Sequence, residues 1–164
     1  MSIQAKLHID DQEIKIIRFR YDFDQPTDVN GRPLGKPILR GLWAVVETQK
    51  ALSLEEWAMA SNQKKQLAIH LTPTLLGGKT RIINFIDTHL VRWEVNYSGT
   101  GTAPMTETLY ITAAGLKDGA ATTEYTAYWR ETFPNNAPIT TRNNNEEEEQ
   151  EEETGFLVDL ELSL

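Results

Sequence analysis

Three histidines are the residues of this sequence that could most readily bind a metal or move a proton. His8, His70 and His89 lie on separate strand-like segments, and none has a second histidine or a carboxylate nearby at the spacing of metal ligands. Isolated histidines of this kind are usually structural or surface groups. We therefore predict that none of the three is a ligand or a general base.

An aspartate-rich stretch has some of the oxygen donors of a calcium loop, namely Asp22, Asp24, Asp28 and Asn30 before Gly31. A helix–loop–helix calcium site also needs flanking helices and a glutamate at the twelfth position, and this stretch has neither. The sequence therefore predicts no metal site here.

No other pattern of catalytic residues is present. There is no Gly-x-Ser-x-Gly motif and no phosphate-binding glycine loop, and the chain has no cysteine. The lack of cysteine excludes a thiol nucleophile, a thiolate zinc site and a disulfide scaffold. We predict a protein that is not an enzyme, has no catalytic residues and needs no cofactor.

The charge of the chain is concentrated near its C-terminus. The net charge is -8, and residues 146–153 contain seven glutamates in eight positions, so the rest has 17 acidic and 16 basic residues. Nucleic-acid binding depends on clustered lysine and arginine, so a nearly neutral body argues against a nucleic-acid partner. The N-terminal residues alternate apolar and polar side chains, and no stretch approaches eighteen uncharged residues. We expect no cleavable signal peptide and no membrane insertion.

Period-two alternation dominates the first hundred or so residues and predicts a mainly β protein. Ile3 to Ile9 and the run from Ile14 to Tyr21 predict a hairpin that turns at Asp10 and Asp11. Further strands are predicted at 38–47, 66–71, 79–87, 89–97 and 105–113. Seven or eight short strands at this spacing favour an antiparallel β-barrel, because closure removes exposed edges.

One short α-helix flanks the predicted barrel. Ser53 and Glu56 form a capping box, and Leu54 and Trp57 recur at helical spacing. The strand at 38–47 is apolar on both faces over its centre, which is typical of a strand covered on both sides.

A projecting arm is predicted between the second and third strands. Three prolines and two glycines fall within residues 26–37, which forbids a helix or a central strand. Ordering a structureless loop of this length costs about 1 to 2 kcal/mol of conformational entropy per residue. We therefore expect the arm to dock on a second molecule, because the contacts made there would offset this cost.

The end of the chain predicts a C-terminal extension. We divide the chain into a barrel domain, residues 1–130, and an extension, residues 131–164, whose polar, self-repelling tract reads as a linker. Beyond it, apolar side chains alternate at Phe156, Val158, Leu160 and Leu162, which is typical of a partner-binding tail that seeks a sheet edge or groove.

Several of these segments together resemble the tube protein of type VI secretion systems, the Hcp or TssD family, in the version found in Bacteroidota. The resemblance covers roughly residues 1–130 in the right order. It rests on the Gly31-Arg32-Pro33 and Lys36-Pro37 steps of the arm, the Glu55-Glu56-Trp57 helix, and the strands at 83–85, 93–97 and 104–113.

This resemblance implies a structural subunit that forms homo-hexameric rings, which stack into a hollow tube. Implied partners are further copies of itself, a contractile sheath, a spike and effector proteins, with assembly in the bacterial cytoplasm followed by secretion through the apparatus. Carried over by position, the inter-ring contact is the arm: Asp24, Thr27, Asp28, Asn30, Gly31, Arg32, Pro33, Gly35, Lys36 and Pro37. Candidate ring or lumen surfaces are Leu42, Trp43, Val45, Glu47, Arg81 and Asn84.

Two other functions are compatible with the sequence. One is a monomeric β-barrel that binds a small apolar ligand in its interior. The other is the tube subunit of a phage-tail-like extracellular contractile injection particle, which shares the architecture.

Overall fold

A computed structural model describes residues 3–49, 54–73, 78–100, 102 and 105–133 of the 164-residue chain. Its elements, in chain order, are the strands β1 (Ile3–Ile9), β2 (Gln12–Asp24) and β3 (Ile38–Glu47), the helix α1 (Leu54–Met59), and the strands β4 (Lys65–Pro73), β5 (Arg81–Asn96), β6 (Thr106–Asp118) and β7 (Glu124–Thr126).

The first two strands form the predicted hairpin. Leu7 pairs with Ile14 and Ile9 with Gln12, and the turn between the strands places Asp10 at a positive φ of 52°. Aspartate tolerates this left-handed conformation better than most residues, so the two-residue turn suits its sequence.

Six antiparallel strands close into a barrel, as the alternation predicted. The strand order is β3-β2-β1-β4-β5-β6, and β6 pairs back onto β3. Residues 106–111 of β6 pair with β3, and residues 115–117 pair with β7, so β7 follows β3 along the same edge of β6. Closure leaves no open edge over most of the wall.

The interior of the barrel is filled with aliphatic and aromatic side chains. Every strand from β1 to β6 contributes alternate residues to it, and among the most buried are Leu7, Ile14, Ile69, Phe85 and Ile111. Burying one such side chain contributes about 1.5 to 3 kcal/mol. The core therefore accounts for the period-two pattern seen in the sequence.

The helix α1 covers one end of this core. Leu54 and Trp57 are buried, and the Trp57 indole N–H donates to the Gln63 carbonyl oxygen at 3.0 Å. Ser53, the predicted N-cap, lies outside the described residues. Within those residues, no helix has the length and apolar character needed to cross a membrane.

Three predicted strand boundaries are wrong. The segments predicted at 79–87 and 89–97 belong to one long strand, β5, within which Asp87 adopts a positive φ of 51°. The strand predicted to end at 113 continues to Asp118, because residues 113–118 pair with β5 on one side and Gly115 to Lys117 pair with β7 on the other. That partner was not predicted, since only three residues of β7 form the pairing.

The chain divides into two compact units, Met1–Thr132 and Phe133–Leu164. The first contains the barrel. In the second unit only Phe133 is described, so the predicted partner-binding tail, with Phe156, Val158, Leu160 and Leu162, lies outside the described residues.

Candidate functional site

The arm, residues 24–37, has defined structure of its own, so the prediction that it is structureless is wrong. Thr27 and Pro33 form an antiparallel bridge, and the Leu34 N–H donates to the Pro26 carbonyl oxygen at 2.8 Å. These bonds turn the arm into a small closed loop. The prolines are accommodated because this loop needs few backbone N–H donors.

Asp28 organises the tip of the arm. Its Oδ1 accepts the backbone N–H groups of Asn30 at 2.9 Å and Arg32 at 2.8 Å, and its own N–H donates to the Arg32 carbonyl oxygen. Gly31 has a φ of 81° with open space around it, a conformation that glycine adopts without steric cost. A side-chain oxygen that folds its own backbone in this way holds a turn in place.

Two apolar side chains project from this loop. Val29 is fully exposed and Leu34 is 66% exposed. Exposed aliphatic residues on an ordered loop offer apolar area to a partner, and the loop's own hydrogen bonds reduce the entropy lost on docking.

An ion pair braces the base of the arm. The Arg40 guanidinium contacts Asp24, with Nε 3.1 Å from Oδ2, across the last step of the β2–β3 ladder, where Asp24 pairs with Ile38. The hydrogen bond from Arg40, together with its charge, lowers the pKa of the Asp24 carboxyl. Asp24 therefore lies at the end of β2 rather than in the loop.

Next to this base, β3 leaves β6 at Gly41. Gly41 has a φ of 122°, and a Cβ built on it would lie 2.7 Å from the carbonyl oxygen of Ile111. No side chain fits that distance. Glycine at this position lets the two strands approach before β3 turns away toward the arm.

The predicted ring or lumen residues fall into two groups. Trp43, Val45 and Glu47 are half-buried on the outer side of β3, and Asn84 is half-buried on β5. Leu42 does not belong with them. It is 1% exposed and packs inside the barrel, so its side chain is not available to an outer surface.

Arg81 lies at the beginning of β5 and binds Asp118 at the end of β6. Its Nε is 3.0 Å from both carboxylate oxygens, a two-oxygen contact that lowers the pKa of Asp118. This pair joins the ends of neighbouring strands, so the residue has a structural role in the wall.

The prediction of isolated histidines is wrong for two of them. His8 and His70 stack with ring centroids 3.7 Å apart, because β1 and β4 pair with Lys6 opposite His70 and place the two imidazoles diagonally. Burial, and then the neighbouring His8, lower the pKa of His70. Among the described residues, no group of three or more histidine, aspartate or glutamate side chains could hold a metal ion.

A buried carboxylate was missed by the sequence analysis. Asp87 is 1% exposed, and its oxygens accept the backbone N–H groups of Glu131 and Thr132, both at 2.7 Å, the Thr132 hydroxyl, and the Gln66 amide at 2.9 Å. Burial alone would raise the pKa of Asp87, but these hydrogen bonds outweigh it and hold the pKa well below its usual range.

Arg130 holds the same segment, residues 130–132, through a second set of contacts. Its side chain is 1% exposed, forms an ion pair with Glu124, and donates to the Thr126 hydroxyl at 2.9 Å and the Thr132 carbonyl oxygen at 2.8 Å. We call Asp87 and residues 130–132 the clasp. The one signal for it in the sequence is an aspartate on the inward face of β5, after Ile83 and Phe85.

Comparison with protein families gives one match. The model of the family described as TssD, hemolysin coregulated protein Hcp, matches residues 1–130. The chain belongs to the Hcp (TssD) family.

Solved structures of the Hcp family have the same fold. Hcp1 from Flavobacterium johnsoniae is 22% identical, with a TM-score of 0.67, over 75% of this chain and 98% of that one. An Hcp1 protein from E. coli EAEC 042 is 12% identical, with a TM-score of 0.60, over 79% and 99%. Hcp1 from Salmonella typhimurium is 19% identical, with a TM-score of 0.57, over 72% and 86%.

One further match is described as a type six secretion system protein, with 12% identity and a TM-score of 0.63 over 71% of this chain and 83% of that one. Comparison with curated protein sequences gives no significant match. The Hcp family model ends at residue 130, so residues 131–164 lie beyond the part of the chain that defines the family.

Proposed function

We propose that this protein is the tube subunit of a type VI secretion system. Copies of the barrel join side by side into a hexameric ring, and rings stack through the arm into a hollow tube. Membership of the Hcp family supports the tube role, and the similarity to a structure described as a type six secretion system protein supports the kind of machine.

The observation on which stacking depends is the form of the arm. It is an ordered loop, held by Asp28 and by the Thr27–Pro33 bridge, that exposes Val29 and Leu34 to solvent. A loop that is already folded loses less entropy on docking than a flexible one. In the proposed tube these two apolar residues are buried against the neighbouring ring, and the ion pair between Asp24 and Arg40 transmits axial force to the barrel.

Ring formation requires two different surfaces on each subunit that fit each other head to tail, because this arrangement closes into a cycle. The outer side of β3, with Trp43, Val45 and Glu47, and Asn84 on β5 remain our candidates for the ring or lumen surfaces. A barrel whose interior is filled by its own side chains has no room for an apolar ligand there, which favours assembly over the ligand-binding alternative.

The remaining parts of the proposal follow from the role of a tube. The tube lies within a contractile sheath, contacts a spike at its tip and delivers effector proteins. The subunit assembles in the bacterial cytoplasm and leaves the cell through the apparatus. The extension at 131–164, with its apolar tail, is proposed to bind a protein partner.

Replacement of the two exposed arm residues tests this proposal. In the double variant Val29→Asp, Leu34→Asp, we expect single rings in negative-stain micrographs but no stacked tubes, and no secretion. The control is Met59→Asp, which makes the same change at a 73% exposed residue outside the arm and should leave stacks intact. Stacks of normal length in the double variant would contradict the inter-ring role of the arm.

A further inference from the structure

The outer wall of the barrel carries a row of side chains to which only Trp43, among the candidate ring or lumen residues, belongs. Arg20 on β2 pairs with Trp43 on β3, Trp43 with Tyr110 on β6, and Tyr110 with Arg92 on β5. Residues paired directly across neighbouring strands point to the same side of the sheet. Closure of β3 onto β6 thus creates one row across four strands, with an arginine at each end and two aromatic rings between.

This row faces away from the core. Leu42 and Ala44, on either side of Trp43, are buried inside the barrel, so Trp43 points outward. Trp43 and Tyr110 are half-buried and the arginines are exposed. We call these four residues, together with Arg18, the Arg–aromatic row.

Stacking on the rings orients the guanidinium groups. The Cζ of Arg18 lies 5.1 Å from the ring centroid of Trp43, and that of Arg92 lies 5.2 Å from the ring centroid of Tyr110. A stacked guanidinium uses its face for the ring and keeps its N–H donors at its edge, where they can bind a carboxylate through two parallel hydrogen bonds.

Among the described residues, two of the arginines on this wall have no acidic partner. Arg92 forms an ion pair with Glu94, and Arg40 with Asp24, whereas no described carboxylate lies within 4 Å of Arg18 or Arg20. A groove of about 320 Å³ runs beside Arg20, and its lining also includes Asp22, Arg40, Trp43 and Tyr110. The wall therefore offers two uncompensated cations next to aromatic surface.

The spacing of these cations specifies their ligand. Arg18 and Arg20 are alternate residues of β2, so they lie on one side of the strand about 6.6 Å apart. Alternate side chains of an extended peptide have the same spacing. We propose that the Arg–aromatic row binds an extended, glutamate-rich peptide segment of a partner protein, with carboxylates at alternate positions held by Arg18 and Arg20 and the intervening chain lying against Trp43 and Tyr110.

Charge favours a peptide over a nucleic acid as the ligand. A phosphate backbone needs a long track of cations, while this wall has only a few arginines and also includes Asp22. A short carboxylate peptide needs only two cations. The proposal concerns a surface of the single barrel and goes beyond the assembly role, so it does not depend on stacking.

Peptide binding to the full-length chain tests the proposal. The probe is a fluorescein-labelled ten-residue peptide of alternating glutamate and serine, followed by fluorescence anisotropy, with a glutamine–serine peptide as its neutral control. The chain's own glutamates at 146–153 could compete, so the measurement is repeated on a variant with all seven replaced by glutamine. We expect the acidic peptide to bind in at least one of these backgrounds and the neutral peptide to bind in neither.

Variants locate the site. The double variant Arg18→Gln, Arg20→Gln should weaken binding by about tenfold or more, because each charged hydrogen-bonded contact is lost. The matched control, Lys79→Gln with Lys117→Gln, removes the same charge from exposed positions outside the row and should change affinity by less than about threefold. Arg20→Lys keeps the charge but loses the two-bond geometry, so it should fall between them.

Three results would overturn the inference. The first is no binding of the acidic peptide in either background. The second is an equal loss of affinity in the double variant and in its lysine control, which would mean that only the overall charge matters. The third is tighter binding of a ten-nucleotide oligothymidylate than of the peptide at the same salt concentration, which would identify a nucleic-acid surface instead.

Discussion

The arm connects β2 to β3, while the clasp fastens residues 130–132 to Asp87 on β5, and opposite kinds of contact hold the two regions. The arm is held by local, exposed bonds, in which Asp28 binds residues two and four positions along the chain. In the clasp, Asp87 and Arg130 are buried, and Asp87 binds residues 44 and 45 positions away. Buried, long-range polar contacts are costly to break, while exposed local ones contribute little to global stability. We therefore expect the clasp to matter for stability, while the arm contributes little to stability and keeps its proposed role in stacking.

Removal of the clasp carboxylate should have the largest effect on stability. Asp87→Ala leaves two backbone N–H groups, the Thr132 hydroxyl and the Gln66 amide without their acceptor at a buried position, so we expect unfolding free energy to fall by about 3 to 5 kcal/mol. Urea denaturation measures this loss. Asp11→Ala, in the exposed β1–β2 turn, is the control and should cost no more than about 0.5 kcal/mol. A loss below 1 kcal/mol for Asp87→Ala would mean that the clasp is not a stability element.

Three glycines, one in the barrel strand β3 and two in the arm, differ in how much a substitution by alanine should destabilise the fold. Gly41→Ala forces a Cβ to within 2.7 Å of the Ile111 carbonyl oxygen at a positive φ, so we expect a loss of about 2 to 4 kcal/mol. Gly31→Ala has the positive φ but open space, and should cost about 1 kcal/mol. Gly35→Ala has neither problem and should be neutral within about 0.5 kcal/mol. Thermal or urea unfolding of the three variants ranks their losses of unfolding free energy. An equal loss for Gly31→Ala and Gly41→Ala would contradict the expected difference between the arm and the barrel.

The pH dependence of stability separates the two carboxylates Asp87 and Asp24. Both have a pKa lowered below the usual 3.8, so each stabilises the fold above that value and loses its contribution as the pH falls through and below it. Asp87 is buried and Asp24 is exposed to solvent screening. We therefore expect Asp87→Asn to flatten the fall in stability between pH 5 and lower pH, and Asp24→Asn to leave the slope nearly unchanged. Urea titrations at a series of pH values measure both slopes, and equal flattening by both variants would show that burial does not distinguish them.

A small effect on stability is expected from Asp28 at the tip of the arm. Asp28→Ala removes two exposed hydrogen bonds, so we expect a loss of about 0.5 to 1 kcal/mol, together with shorter or absent stacks in micrographs. In Asp28→Ala we therefore expect a clear loss of stacking with little loss of unfolding free energy. In Asp87→Ala we expect the loss of unfolding free energy to be the main effect. An Asp28 variant that stacks normally would show that the tip does not need its preformed turn.

Much of the barrel was predictable because its strands alternate strictly. The hairpin turn at Asp10 and Asp11 and the bounds of β3 follow from period-two patterns. The continuity of β5 through Asp87 was not predictable in this way. Asp87 occupies an inward position where alternation calls for an apolar residue, and its partners at 131 and 132 explain why a carboxylate is found there.

Contacts that depend on strand register could not be predicted from the sequence. The stacking of His8 on His70 and the row from Arg20 to Arg92 exist only because particular strands pair at a particular offset. The family resemblance located the arm, but its internal bridge and the exposure of Val29 required the structure.

The mass of the native protein in solution tests the central claim most directly. Multi-angle light scattering across a range of concentrations should report a particle of about six times the 18.6 kDa subunit, with larger multiples as rings stack, and fields of annular particles on a grid. A single 18.6 kDa species at every concentration, with no rings, would contradict the account.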